Sequence, residues 1–280
     1  MTKSFFCGQY LCRINGSSKL ISLIPGRWEN YSHAQAFSSQ CVTINLEEDN
    51  LECETAEKDG WIIRERQGFS MPVYSNHGKA LFGLLQTEPL SVTVYLRKAL
   101  DSYLRVGVHY GMMLALHREC VGMHGVTILC GNEFIILSAP SGTGKTTLAK
   151  LLETHCDAIA INGDFALLAP TENGVIFEPT PFCGSSGRSL NHRVRVNRVV
   201  FLGQAKENHW RELDVRKALA RFMSNAFIPE WDKDMLQAVQ ENILKCVSVL
   251  KVNAYDFAPT QEAAELILKK IAEDSSLCSG

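Results

Sequence analysis

The sequence predicts an α/β fold, with a P-loop core over residues 89–280 and a β-rich unit over residues 1–88. Three observations predict it. A glycine-rich run, Ala139-Pro-Ser-Gly-Thr-Gly-Lys-Thr-Thr147, stands between the apolar stretch Glu133–Ser138 and the helix-forming stretch Thr147–Glu153. Beyond that run, strand-like and helix-like segments alternate, which is the pattern of an α/β core. Before residue 88, short β-like runs are broken by the turn signals Asn15-Gly16, Pro25-Gly26, Asp59-Gly60 and Asn76-His77-Gly78.

The expected elements follow in order. In the N-terminal unit, strands are expected at Leu11–Ile14, Lys19–Ile24, Val42–Leu46, Trp61–Arg66 and Lys79–Leu85. The acidic cluster Glu47, Glu48, Asp49, Glu52, Glu54 and Glu57 reads as a solvated loop. From Pro89 to Glu119, Val94, Leu96, Leu100, Leu104, Met112, Met113 and Leu116 recur at helical spacing, predicting two helices hinged near Gly107. Strands are then expected at Val126–Cys130 and Glu133–Ser138, followed by the glycine-rich loop and a helix to about Thr154. Further strands are expected at Ala158–Asn162, Phe165–Leu168, Val175–Glu178 and Val194–Leu202. Helices are expected at Asp214–Ser224 and Pro229–Leu244, then a strand at Cys246–Ala254 and a helix at Thr260–Ala272. Leu219, Phe222 and Met223, with Met235, Leu236, Val239 and Ile243, fit core faces of helices or contacts in a homo-oligomer.

Composition excludes several function classes. The 280 residues carry 28 Lys+Arg against 30 Asp+Glu, a formal charge of −2, and 46% are hydrophobic. That balance is ordinary for a globular protein and argues against a nucleic-acid partner. The basic run His192–Arg198 alternates with apolar residues at a period of two, as one face of a strand does. No apolar segment approaches the ~20 residues of a membrane helix. The ten cysteines contain no CxxC spacing, and the N-terminal residues lack a signal-peptide pattern, so reduced thiols and a cytoplasmic address are expected.

The run 139–147 has the Walker A arrangement, with Ala139 in place of the first glycine. Gly142 and Gly144 let the backbone curl so that N–H groups, with those of Ser141 and Thr143, face phosphate oxygens at a helix start. Lys145 is expected on the β- and γ-phosphates, Thr146 on Mg²⁺, and Thr147 at the α-phosphate or helix start. ATP and Mg²⁺ are the ligands implied. The expected acidic partner is Asp164, 19 residues beyond Lys145 and just after a strand, where a carboxylate can hold Mg²⁺ and accept a proton. Asn162-Gly163-Asp164 also reads as a turn capped by Asp.

The segments MHGVTILCGNEFIILSAPSGTGKTTLAKLL and AIAINGDFALL resemble the HPr kinase/phosphorylase family and its phosphoenolpyruvate carboxykinase-like P-loop relatives. The resemblance covers under a third of the chain. It implies a catalytic constellation of His124, Lys145, Thr146 and the acidic site at Asp164. The family usually has two adjacent aspartates where this chain reads Gly163-Asp164. Asp164 therefore serves both as metal ligand and as base, or shares the work with His124 or Glu178. No stretch matches the loop that holds HPr, and the shorter HPr-kinase-related proteins of peptide-modification clusters, lasso-peptide kinases among them, look more similar.

After the strand at Val175–Glu178, the Gly/Ser-rich stretch 179–189 has the makings of a lid, in which Ser185, Ser186 and Arg188 contact phosphate or acceptor. Arg188 or Arg193 is a candidate for stabilising transferring charge, and Cys183 for a redox-sensitive thiol. Together these features imply a kinase that transfers the γ-phosphoryl of ATP to a hydroxyl of a peptide, protein or small molecule. A nucleotide-dependent switch or assembly module, and a carboxykinase-like enzyme acting on a small carboxylate, are the alternatives. The acceptor and the choice between ATP and GTP stay open.

Overall fold

The computed structural model describes residues 1–33, 40–49, 51, 60–77, 79–97, 101–163, 165–182 and 191–276. The protein is a mixed α/β structure with two sheets. By backbone proximity it divides into one unit of Met1–Cys120 with Ile228–Val239 and a second of Val121–Phe227 with Gln240–Gly280.

The first unit holds β1 (Thr2–Cys7), β2 (Tyr10–Asn15), α1 (Ser18–Ser22), a 3-10 helix (Gly26–His33), β3 (Cys41–Asp49), β4 (Gly60–Arg66), β5 (Phe69–Asn76), β6 (Lys79–Glu88), β7 (Ser91–Arg97) and α2 (Asp101–Ala115). Its sheet runs β1-β2-β3-β7-β6-β5-β4. Four expected strands form here as β2, β3, β4 and β6. The expected strand at Lys19–Ile24 is instead α1, because Ser17 caps it: its hydroxyl accepts from Leu20 N at 3.3 Å. Of the acidic cluster, Glu47, Glu48 and Asp49 belong to β3, where Lys19 pairs with Glu48 at 2.5 Å and Arg66 with Asp49. Residues 52, 54 and 57 lie outside the described residues.

The helical reading is corrected over Ser91–Arg97, while from Asp101 onward it stands as α2. Ser-Val-Thr-Val-Tyr-Leu-Arg is rich in β-branched residues, and it forms β7, paired parallel to β3 and antiparallel to β6. The expected unit boundary at 88/89 thus falls inside a hairpin whose last pair is Glu88↔Ser91. Gly107 is no hinge between two helices. α2 is continuous, and its glycines let it lie close on the sheet: a Cβ at Gly107 would stand 2.8 Å from Val94 Cγ1, and one at Gly111 2.9 Å from Val94 Cγ2. The returning segment carries Trp231, whose ring lies 5.4 Å from that of Trp61 on β4.

The second unit holds β8 (Val121–Cys130), β9 (Glu133–Ser138), α3 (Lys145–His155), β10 (Ile159–Asn162), β11 (Phe165–Thr171), β12 (Gly174–Glu178), β13 (Val194–Val196), β14 (Arg198–Gln204), β15 (His209–Glu212), α4 (Val215–Asn225), β16 (Lys251–Phe257) and α6 (Gln261–Ser276). α5 (Lys233–Val249) spans the division at Val239. The sheet order is β13-β12-β11-β8-β9-β14-β16-β15, with β10 on β8. Among the described residues of this sheet, only β9, β14 and β16 pair in parallel, so their carboxyl ends lie together. One sheet face packs Ile135, Leu137, Val200, Leu202, Tyr255 and Phe257 against Leu148 and Leu152 of α3 and Ala263, Ile267 and Ile271 of α6. On α4, Phe222 is buried with its ring 5.4 Å from that of Phe201.

Two expected boundaries shift. The strand expected at Val194–Leu202 is two strands parted at Asn197, whose side chain accepts from Phe134 N at 2.9 Å. The strand expected from Cys246 starts only at Lys251, because α5 continues to Val249 with Cys246 fully buried on it. Burial pushes the Cys246 thiol up to about 12 and that of Cys130 up to about 11. Cys12, Cys41, Cys130, Cys156 and Cys246 are free thiols. Among the described residues, no helix is long and apolar enough to cross a membrane.

The close approach of α2 sets the sign of a substitution. In an exposed helix Gly→Ala is favourable by about 1 kcal/mol, whereas overpacking a core costs about 1–3 kcal/mol. With Val94 stiff at 2.8 Å, Gly107→Ala is expected to destabilise the protein by about 1 kcal/mol in urea unfolding, an overpacking cost net of the propensity gain. A stabilised variant would contradict the packing described.

Candidate functional site

The glycine-rich run connects the end of β9 to the start of α3 at the carboxyl ends of the parallel strands, where open α/β sheets bind ligands. Gly142 has φ 80° and Gly144 φ 103°, both left-handed and suited to glycine. Space restricts Gly144 further, since a Cβ there would stand 3.2 Å from Phe257 Cζ. Gly144 is also the N-cap of α3 and, having no side chain, makes no cap hydrogen bond of its own. The first-turn N–H groups of a helix have no acceptor within it, and the helix dipole is positive at that end.

Lys145 is the first residue of α3 and only 7% exposed. Its ammonium donates to Ala139 O at 2.7 Å and to Pro140 O at 3.0 Å, so the side chain folds back onto the loop that precedes it. Pro140 O also accepts from Thr143 N, at 3.4 Å. Ser141, Thr146 and Thr147 are exposed, and Thr143 is half-buried. The structure thus brings Ser141–Thr147 together in one curled segment around a helix start.

His124 lies on β8, half-buried and in register with Phe165 of β11. Its carbonyl accepts from Ser138 Oγ at 2.8 Å, which ties it to the last residue of β9 before the loop. The glycine after it is required by packing: a Cβ at Gly125 would stand 2.8 Å from Ile136 Cγ2. Asp164 lies outside the described residues, as do Cys183, Ser185, Ser186 and Arg188.

Glu178 and Arg193 occupy each other. Glu178 ends β12 fully buried, and Arg193, just before β13, grips both its oxygens, with Nη2–Oε1 at 2.7 Å and Nε–Oε2 at 2.9 Å. The pair extends the β12–β13 ladder one step beyond Phe177↔Val194. A carboxylate and a guanidinium so engaged make a structural staple at the ends of segment 179–192.

Two contacts on the loop have no signal in the local sequence. Gln204, the last residue of β14, donates from Nε2 to Gly142 O at 3.2 Å, and Phe257, the last of β16, backs Gly144. They reach the loop because β14 runs parallel between β9 and β16, with Gln204 in register with Phe257. Beside them Asp256 fills the space over Gly203, where a Cβ would stand 2.1 Å from Oδ1, and Arg211 holds it at 2.5 Å.

The glycine geometry, the glycine-capped helix start and the adjacent ammonium fit a polyphosphate. Thr146 offers an exposed hydroxyl at the helix start. Among the described residues, no group of three or more His, Cys, Asp or Glu side chains is arranged to hold a metal ion.

No family model matches the chain, and no curated protein matches it. Among solved structures, the Hpr(Ser) kinase/phosphatase from Coxiella burnetii is similar over 57% of this chain and 99% of its own, at 11% identity and a TM-score of 0.35, a distant structural relation.

The Glu178 carboxylate is fully buried while the Arg193 side chain is 42% exposed, so solvent screens part of the interaction. Arg193→Ala is therefore expected to lower unfolding stability by about 1–2 kcal/mol, between a surface pair and a buried one. A loss below about 0.5 kcal/mol, the level of a surface pair, would show that the staple contributes nothing.

Proposed function

We propose that this protein is an ATP- and Mg²⁺-dependent kinase that uses residues 139–147 as a P-loop and transfers the γ-phosphoryl group to a hydroxyl of a peptide, protein or small molecule. The observation that carries the reading is the strand–loop–helix connection, with left-handed glycines at 142 and 144 and an almost wholly buried lysine at the first helical position. An ordinary glycine-rich turn needs no such lysine. The HPr kinase-like resemblance of residues 123–152 and 158–168 points the same way.

In this reading the loop N–H groups and the start of α3 bind the phosphates, and Lys145 Nζ turns from Ala139 O and Pro140 O onto the β/γ-phosphates, where its charge meets the charge that develops in transfer. The Thr146 hydroxyl and the Asp164 carboxylate would hold Mg²⁺, which would supply positive charge to the phosphates. Asp164 takes the proton of the attacking hydroxyl as its oxygen bonds to the γ-phosphorus and the bond to the β-phosphate oxygen breaks. His124, on the strand pair that leads into the loop, orients the acceptor or donates to the γ-phosphate. Ser185, Ser186 and Arg188 are assigned in this reading to contact phosphate or the acceptor.

The experiment is transfer from γ-labelled ATP to acceptors in a cell extract. Label is expected on a species other than water, and Lys145→Ala is expected to abolish transfer and weaken triphosphate binding while the fold survives. Wild-type turnover in folded Lys145→Ala would sink the assignment. A protein that binds ATP and transfers nothing is the switch of the alternative reading.

Asp164→Asn keeps size and removes charge. Nucleotide binding is expected to persist while turnover falls at least ~10²-fold, the lower scale of general acid/base catalysis. Unchanged turnover would make Asp164 only a turn residue.

A further inference from the structure

We infer that Gln204 is a positioning residue for the glycine-rich loop, fixing the peptide plane between Gly142 and Thr143 in the sense that binds a polyphosphate. The inference rests on the P-loop reading above. In a trans peptide the C=O and the following N–H point in opposite directions. Gly142 O is held outward by Gln204 Nε2 at 3.2 Å, while Thr143 N–H is turned the other way, toward Pro140 O at 3.4 Å. That same Pro140 oxygen accepts the Lys145 ammonium, so the Thr143 N–H faces the side of the loop where the cation lies.

The 142–143 plane rotates about ψ of residue 142 and φ of residue 143, and Gly142, at φ 80° and without a Cβ, offers little steric resistance to that rotation. A flip of the 142–143 plane would aim a carbonyl oxygen, partially negative, at the phosphates and remove one N–H from them. Gln204 opposes that flip from outside the loop. Its backbone is firmly anchored, because it ends β14 in register with Phe257, and just beyond it Ala205 N donates to Phe257 O at 3.1 Å. The ring of Phe257 backs Gly144 from the adjacent strand, so the loop is braced at both glycines. Because the Gln204 side chain is exposed and makes its contact with loop backbone alone among the described hydrogen bonds, its contribution falls on the loop and not on the core.

The test is calorimetric titration of ATP with Mg²⁺ into the wild type, Gln204→Ala and Gln204→Met, with thermal unfolding of each protein without nucleotide. Methionine keeps the length of the side chain and removes the donor. Both variants are expected to bind about fivefold more weakly, the scale of one net hydrogen bond, with unchanged unfolding midpoints. Wild-type affinity in Gln204→Met with a loss in Gln204→Ala would overturn the inference, since bulk and not the hydrogen bond would then matter. Equal affinity in all three proteins would overturn it and leave the P-loop reading standing. A wild type that binds no ATP would overturn both.

Discussion

A lysine ammonium withdrawn from water must be met by oxygen, and at the start of α3 two of those oxygens come from the loop that leads to it. Lys145 reaches back to the carbonyls of Ala139 and Pro140. That contact is possible only if the chain turns through a tight curl between the end of β9 and the first helical residue. The curl in turn needs left-handed backbone at Gly142 and Gly144. Helix start, loop shape and strand end are therefore one unit, and a polyphosphate that draws the ammonium away replaces two carbonyls with stronger, charged acceptors.

The sheet supplies what the loop cannot supply for itself. Parallel pairing of β9, β14 and β16 brings three carboxyl ends together, and from the two neighbours come Gln204 and Phe257, one holding an oxygen and the other a bare glycine. The same requirement for missing side chains recurs nearby. Gly125 admits Ile136, and Gly203 admits the Asp256 carboxylate. The ends of segment 179–192 are joined by a buried carboxylate and the arginine that grips it. In the first unit, Gly107 and Gly111 serve packing in the same way, seating α2 against Val94.

What is legible in the sequence is what local chemistry decides. The run 139–147 and its flanking apolar strand and helix are set by neighbours in the chain, and β9 and α3 form where expected. The misread segments are those that distant partners decide. Val94 and Leu96 fit a helical period, yet strands β3 and β6 pair with them as β7. Gly107 looks like a break until Val94 is seen beneath it. β5 carries Pro72 and polar residues, and β15 is short and edge-placed, so neither has a strand signature of its own. Glu178 and Arg193 look like chemical groups because nothing in the sequence shows that β12 and β13 bring them together. Gln204 gives no sign, since its role depends on the register of three strands.

The most direct test of the central claim is equilibrium titration of ATP into the protein with and without Mg²⁺, with ADP and inorganic triphosphate as competitors. A polyphosphate cradle of this kind predicts saturable one-site binding that is tighter with Mg²⁺ and is displaced by both competitors. No heat of binding under either condition, or binding that triphosphate leaves untouched, would contradict it.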